Sequence, residues 1–286
     1  MSITIIQPGS LTTIQDGGRM MMAHLGVPKS GFMDKKSAQL ANKMVGNDPN
    51  QGLLEITWSG IEFTIDEACS VALAGAEFDC LANRKTVNTD KVIQLQLGDH
   101  FKMGHLNAGV RAYLAVAGGF DILQIGESQS TLIVAAVGGF KGRALQVGDN
   151  IPLKNPRIVQ GCSKPSWQKL YTPSILVVRA KSGSEIDLFD SQTIRQAFGQ
   201  AYQLSNDCNR QGFRLKSEPL AYPEGFSMQS SGLVPGSLQV TPNGQTILAM
   251  VDAQTTGGYP RILVVNQDEL HKLAQARPDQ RIYFFV

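Results

Sequence analysis

The stretch Gly232–Val265, GLVPGSLQVTPNGQTILAMVDAQTTGGYPRILVV, decides how this chain is read. Two apolar runs, TILAMVD and RILVV, flank the loop QTTGGYPR. Both are too short for helices and are rich in β-branched and aliphatic residues, so they read as strands. Gly257 and Gly258 let the backbone take a positive φ or approach a ligand closely. Pro260 fixes the chain beside them. Arg261 carries a planar fork of donors suited to a carboxylate or a phosphate. The loop either makes a special turn or holds a ligand, and both readings stay open at this point.

The same pattern extends outward in both directions. Leu54, Ile56 and Trp58 alternate with other residues, and after a slip at Ser59–Gly60 the alternation resumes in Ile61, Phe63 and Ile65. SVALAG (70–75), the alternating Ile93–Leu97 run ending at Gly98–Asp99, RAYLAVAGG, SILVVRA and RIYFFV complete the strands. Most are bounded by Gly, Pro, Asn or Asp, which suits sheets closed into barrels or sandwiches. Three helices are expected: one capped by Asp34 and stopped by Gly46, one over Asp190–Phe198, and one in NQDELHKLA capped by Asn266. The fold class is therefore mainly β. LQLGD (95–99) returns as LQVGD (145–149), and AVAGGF (115–120) as AAVGGF (135–140). These echoes mark two related β units or a turn chemistry used repeatedly. Three prolines in residues 154–174 suggest a linker, giving an N-terminal β unit over 1–153 and a C-terminal β unit over 175–286.

Composition excludes several classes. The 286 residues are 42% hydrophobic with a formal net charge of +2, so the chain is globular and no basic run points to nucleic acid. No apolar stretch reaches the length of a membrane helix, and no secretory leader is evident. Cys69, Cys80, Cys162 and Cys208 form no CxxC pair, which suits reduced thiols and a cytoplasmic location. No metal-ligand spacing links His24, His100, His105 and His271; His100 and His105 flank an expected turn at FKMG. GxGxxG, GxxxxGK and GxSxG are absent, so neither a common nucleotide site nor a catalytic nucleophile is assigned.

Glycine–arginine pairings recur at QDGGR (15–19), GGFKGR (138–143), CNRQGFRL (208–215) and QTTGGYPR (254–261). GESQST (126–131) packs hydroxyls into a further turn, which holds an oxyanion or satisfies its own backbone. Each arginine either serves a ligand or braces its turn against an acid such as Asp16, Asp149 or Asp252. The candidate substrate-binding set is Arg19, Ser128, Ser130, Arg143, Arg210, Arg214, Gln254, Thr255, Thr256, Gly257, Gly258, Tyr259 and Arg261.

In order along the chain, QDGGR, GVPKSGFMD, LEITWSG, YLAVAGGF, GGFKGR, LQVGD, NRQGFRL, VPGSLQV-x-P-x-G and QTTGGYPR resemble the biotin-dependent carboxyltransferase-like family. Its members are called allophanate hydrolase subunit 2, KipA-like, or the C subunit of 5-oxoprolinase. The resemblance covers Gly9 to Phe285. It implies a cyclophilin-like β-barrel architecture and work in a complex with a KipI-like subunit and a third oxoprolinase subunit. It also implies ATP-driven opening of 5-oxoproline to glutamate by that complex, with ATP bound elsewhere than on a motif of this chain. Alternatives are a KipA-like regulatory subunit or a carboxyltransferase-type subunit acting on a urea-like amide. The chain carries no biotin-acceptor lysine motif. It departs from the family pattern at Gln129, where an arginine is usual in SRST, and at Ser231, where an acid usually precedes Gly-x-Val-Pro-Gly.

Overall fold

Strands ending on glycine turns organise the first part of the chain. In the computed structural model, which describes residues 1–160, 162–165 and 173–286, LQLGD and LQVGD make the same turn. Gly98 and Gly148 take φ of 84° and 83°. The Gly98 amide donates to the Ile65 carbonyl and the Ile65 amide to the Asp99 carbonyl; Gly148 and Ile5 repeat this exchange with Asp149. Each aspartate carboxylate then closes its own turn, accepting from the Gln96 amide at 2.8 Å and the Gln146 amide at 2.7 Å. The echo is one turn used twice, on the paired strands β1 (Ser2–Gln7) and β4 (Glu62–Ile65).

The chain divides into two units, Met1–Met20 with Ser30–Thr172, and Met21–Lys29 with Pro173–Val286. In the first, β1 and β4 join β2 (Leu11–Gln15), β3 (Leu53–Thr57), β5 (Cys69–Ala82), β6 (Lys85–Thr86), β7 (Ile93–Leu95), β8 (His100–Val116) and β9 (Asn150–Pro152) in one sheet. The sheet runs β2-β3-β8-β4-β1-β9, and β8 is long enough to pair with β3, β4 and β5. Inward Ile3, Ile56, Phe63, Phe101 and Leu114 build its core. Helix α1 (Lys35–Met44) starts where Asp34 accepts from the Ser37 amide at 3.0 Å, and Gly46 follows it at φ 69°. Its Ala38, Ala41 and Met44 pack on Ala72, Ala74, Tyr113 and Ala115. Small residues on both sides let the helix approach the sheet closely.

The second unit holds β10 (Ile175–Ser182), β11 (Gln203–Cys208), β12 (Gly212–Lys216), β14 (Ser237–Val240), β15 (Thr246–Ala249), β17 (Arg261–Val265) and β18 (Arg281–Phe285), in the order β11-β12-β15-β14-β17-β10-β18. Tyr202, just before β11, exchanges both backbone hydrogen bonds with Ile282 of β18. That bridge joins the two ends of the curled sheet, and Tyr202 stacks on Phe284 inside it at 5.2 Å. Helix α2 (Ser191–Gly199) is capped by Asp190, as its sequence predicts. The architecture is thus mainly β with curled, barrel-type sheets. β13 (Ser231–Gly232) and β16 (Thr256–Gly257) form a separate two-stranded ribbon.

Three local expectations are corrected. Helix α3 spans only Leu270–Ala274, with Glu269 rather than Asn266 at its start. The Asn266 side chain makes no cap; its carbonyl accepts from the Glu269 amide in a preceding turn. His100 and His105 do not flank a turn but lie within β8. The Ile93–Leu97 strand stops at Leu95, and Leu97 is exposed because the LQLGD turn has begun. The expected linker at 154–174 falls partly outside the described residues. Its described beginning lies along the first unit: the Lys154 amide donates to the Gly119 carbonyl, the Ser70 amide to the Arg157 carbonyl, and the Val159 amide to Ser70 Oγ. No helix among the described residues is long and apolar enough to cross a membrane.

Candidate functional site

In the first unit, three of the sequence motifs meet around Asp16. Its carboxylate accepts from Ser128 Oγ at 2.7 Å, Ser130 Oγ at 2.5 Å, the Gln129 amide at 2.5 Å and the Gly18 amide at 2.8 Å. The Asp16 amide donates to Ser130 Oγ at 3.0 Å, and the Ser130 amide to Ser128 Oγ at 3.0 Å. Both serines are fully buried. GESQST therefore satisfies itself through Asp16, and its hydroxyls are not presented to solvent. The Arg19 guanidinium, also buried, donates to the Ser130 carbonyl and lies against Gly138, where a Cβ would stand 2.1 Å from it. QDGGR, SQST and GGF thus form one packed knot. Gln129, in place of the usual arginine, donates through its side-chain amide to the Phe120 and Ile122 carbonyls at 3.1 and 3.0 Å.

Arg143 braces the turn next to the knot. It grips Asp149 with two bonds of 2.7 Å. The Arg143 hydrogen bond, helped by the Gln146 amide, holds the Asp149 carboxyl below the usual range against the opposing effect of burial. A second buried cluster joins Glu55 to Tyr113: the Glu55 carboxylate accepts from Tyr113 Oη and from the Met33 amide, both at 2.9 Å. Burial, reinforced by Glu55 and Asp34, pushes the Tyr113 phenol well up.

In the second unit, the loop 254–259 rides on the ribbon of β13 and β16. Arg261 anchors it. Its Nε donates to Glu185 at 2.6 Å, and its terminal nitrogens reach the other Glu185 oxygen, Ser231 Oγ at 2.8 Å and the Gly232 carbonyl. Burial raises the Glu185 carboxyl, but the hydrogen bonds from Arg261 outweigh it and leave it below the usual range. The hydroxyl of Ser231, where the family usually places an acid, receives Arg261, and the carboxylate comes from Glu185. Behind the loop, buried Arg210 pairs with buried Asp252 at 2.8 and 3.1 Å, and the Asp252 amide donates to the Arg210 carbonyl. Leu233, Ala249 and Ala253 fill the space beneath.

Of the sequence-predicted residues, the structure brings Arg19, Ser128 and Ser130 into the knot, with Arg143 in the adjoining turn. It brings Arg210, Arg261, Thr256 and Gly257 into the ribbon and its supports. Arg143, Arg210 and Arg261 each hold a carboxylate, so all three act as turn braces. Gln254, Thr256 and Tyr259 expose their side chains on the loop, and Arg214 lies exposed on β12 with no carboxylate partner among the described residues. Thr255 and Gly258 are half-buried, and the Thr255 carbonyl accepts from the Leu233 amide. The hub Asp16 enters the sequence reading only as an arginine partner, and Glu185 does not enter it. Asp16 is marked by QDGGR, but the hydroxyls that meet it lie 112 and 114 residues away. Glu185, 76 residues from Arg261, carries no local signal. Among the described residues no cluster of histidine, cysteine and acid residues is arranged to hold a metal ion.

The family model described as "Carboxyltransferase domain, subdomain A and B" matches residues 25–286. The chain belongs to this carboxyltransferase family. It is 35% identical over 286 residues to the 5-oxoprolinase C subunit of Escherichia coli (strain K12), covering 99% of this chain and 90% of that one. It is 33% identical to the 5-oxoprolinase C subunit of Haemophilus influenzae, with the same coverage. The solved structure of the K. lactis urea amidolyase matches 99% of this chain with a TM-score of 0.91 at 28% identity. There the matching region makes up only 18% of the longer chain.

Proposed function

We propose that this carboxyltransferase-family chain is the C subunit of an ATP-dependent 5-oxoprolinase complex, helping partner subunits open 5-oxoproline to L-glutamate. The observation that carries the reading is coverage. The match spans 90% of each 5-oxoprolinase relative but only a small fraction of the urea amidolyase, so the chain has the dimensions of the stand-alone subunit. The partners are a KipI-like subunit and a third oxoprolinase subunit, and the complex supplies the ATP chemistry. The chain contributes a binding surface rather than a reacting group. Cys69 and Cys80 are buried, and burial pushes both thiols up to about 12, which leaves them without thiolate character. Ser128 and Ser130 are engaged with Asp16. What faces outward on the braced loop is an amide, a hydroxyl and a phenol, from Gln254, Thr256 and Tyr259. Such groups suit the planar amide of a lactam, whose oxygen gains negative charge as the ring opens.

The test uses the purified chain, ATP and 5-oxoproline, with and without the two partner subunits, and follows glutamate release. Turnover is expected only in the full mixture. Turnover by the chain alone, or full turnover by the partners without it, overturns the reading. In the active complex, Gln254→Ala with Tyr259→Phe is expected to lower kcat/KM roughly tenfold or more while leaving the melting temperature unchanged.

A further inference from the structure

The outer face of the second sheet carries an apolar patch that nothing in its own unit covers among the described residues. β10 alternates strictly: Leu176, Val178 and Ala180 point into the core, while Ile175, Val177 and Arg179 point out. β18 lies parallel to it, with Ile175 opposite Arg281, Val177 opposite Tyr283 and Arg179 opposite Phe285. Cross-strand partners share a face. On the other side of β10, Lys181 stands opposite half-buried Val264 of β17. Register alone therefore sets Ile175, Val177, Tyr283 and Phe285 side by side, with the cations Arg179, Lys181 and Arg281 among them. Ile175 and Val177 are each 47% exposed and Phe285 42%. The patch runs into a groove of about 720 Å³ lined by Lys181, Val234, Pro235, Val264, Asn266 and Gln267, where Val234 is 52% exposed.

The charges at this face are unbalanced. Arg179 reaches Glu269, but at 3.5 Å, and Lys272 shares the same carboxylate. Lys181 and Arg281 have no carboxylate partner among the described residues. A strand face with an exposed aromatic, aliphatic neighbours and arginine has the composition of an interface centre. A second copy laid face to face would set lysine and arginine against their own kind, so the face does not suit self-pairing.

We infer that this face of β17, β10 and β18 docks a partner protein surface with an apolar centre and carboxylates placed to meet Lys181 and Arg281. Given the function proposed above, on which the inference rests, that partner is the KipI-like subunit. The outward aliphatic residues supply the water-excluding centre, and the two cations fix orientation and raise the association rate.

The experiment titrates the full chain with the recombinant KipI-like subunit by calorimetry, alongside sedimentation of the chain alone. Val177→Glu and Phe285→Glu place charge in the patch centre at exposed positions, and each is expected to weaken binding at least about tenfold with a near-native melting temperature. Lys181→Glu with Arg281→Glu is expected to weaken it further at low salt than at high salt. Lys85→Glu, exposed on β6 of the first unit, is expected to bind as the wild type does. If the patch variants bind the KipI-like subunit as the wild type does, the docking face is wrong while the proposed function stands. If the wild type binds neither partner subunit, the proposed function fails and this inference falls with it. If the chain self-associates and Val177→Glu abolishes that, the face pairs copies and the inference is overturned.

Discussion

At the scale of single residues, the arginines settle into a consistent role. A guanidinium next to a glycine turn has two uses, and the distances choose between them at Arg143, Arg210 and Arg261. Each fork meets a carboxylate within 3.1 Å, so its donors are already engaged. Arg261 is the informative case because the loop it anchors carries the exposed candidate residues. Removing it leaves Glu185 half-enclosed and unpaired, and frees Ser231 and the Gly232 carbonyl. Breaking a buried pair from one side costs about 3 kcal/mol, which lowers the melting temperature by roughly 6–12 °C in a chain of this size. Arg261→Ala is expected to show that loss in thermal unfolding. Arg261→Lys is expected to recover only part of it, because one ammonium cannot reach both Glu185 oxygens and Ser231 together. An Arg261→Ala protein with wild-type stability and impaired substrate handling would return this residue to ligand contact.

At the scale of elements, glycines decide where the loops can go, and two of them make opposite predictions. Gly138 takes φ 70°, and a Cβ there would stand 2.1 Å from both Arg19 and the Ser130 carbonyl. Gly138→Ala is therefore expected to cost about 2–4 kcal/mol by forcing the knot apart. Gly148 has φ 83° but open space around its missing Cβ. Gly148→Ala is expected to cost only about 1 kcal/mol, the strain of the left-handed backbone alone. Denaturant unfolding of the two variants separates crowding from strain. The same distinction between local and distant causes explains what is legible in the sequence. Strand runs such as RILVV, and the helix capped by Asp34, are readable because alternation, caps and glycine stops are local. The LQxGD echo is readable as a turn, since the aspartate closes on the glutamine three residues before it. The reach of β5 to Ala82 is not, because its second half follows β8 through repeated register shifts. Nor is the start of α3, where a backbone turn replaces the side-chain cap. The candidate loops are legible as glycine–arginine pairings, yet their partners are not: Asp16 draws on residues 128–130, and Arg261 on Glu185. Long-range pairs leave no spacing to read.

At the scale of the whole molecule, the ionisable groups predict a stability plateau with a limb on each side. Glu62, Asp66, Asp149, Glu185 and Glu269 all titrate below their ordinary values, because hydrogen bonds and cations on their carboxylates prevail over burial. An unfolded chain regains carboxyls of about 3.8 for aspartate and 4.5 for glutamate. Below those values the unfolded state binds protons that the folded state does not, so stability is full above about pH 5 and falls as the pH drops through the folded values. On the alkaline side the sign reverses. Burial holds the Cys69 and Cys80 thiols and the Tyr202 phenol up at about 12, against 9.0 and 10.0 when exposed. Their contribution is complete below about pH 9 and is lost as the unfolded thiols and phenol ionise while the folded ones cannot. Urea midpoints measured from pH 3 to pH 11 are expected to be level between about pH 5 and 9 and to decline on both sides. Asp149→Asn is expected to lower the plateau and to make the acid limb shallower, since Asp149 is then no longer there to titrate. Cys69→Ala with Cys80→Ala is expected to flatten the alkaline limb while leaving the acid one intact. A midpoint that stays level down to about pH 3 would mean that the carboxylates gripped by Arg143, Arg261 and Lys102 are as easily protonated folded as unfolded, and the braces assigned to them would fall together.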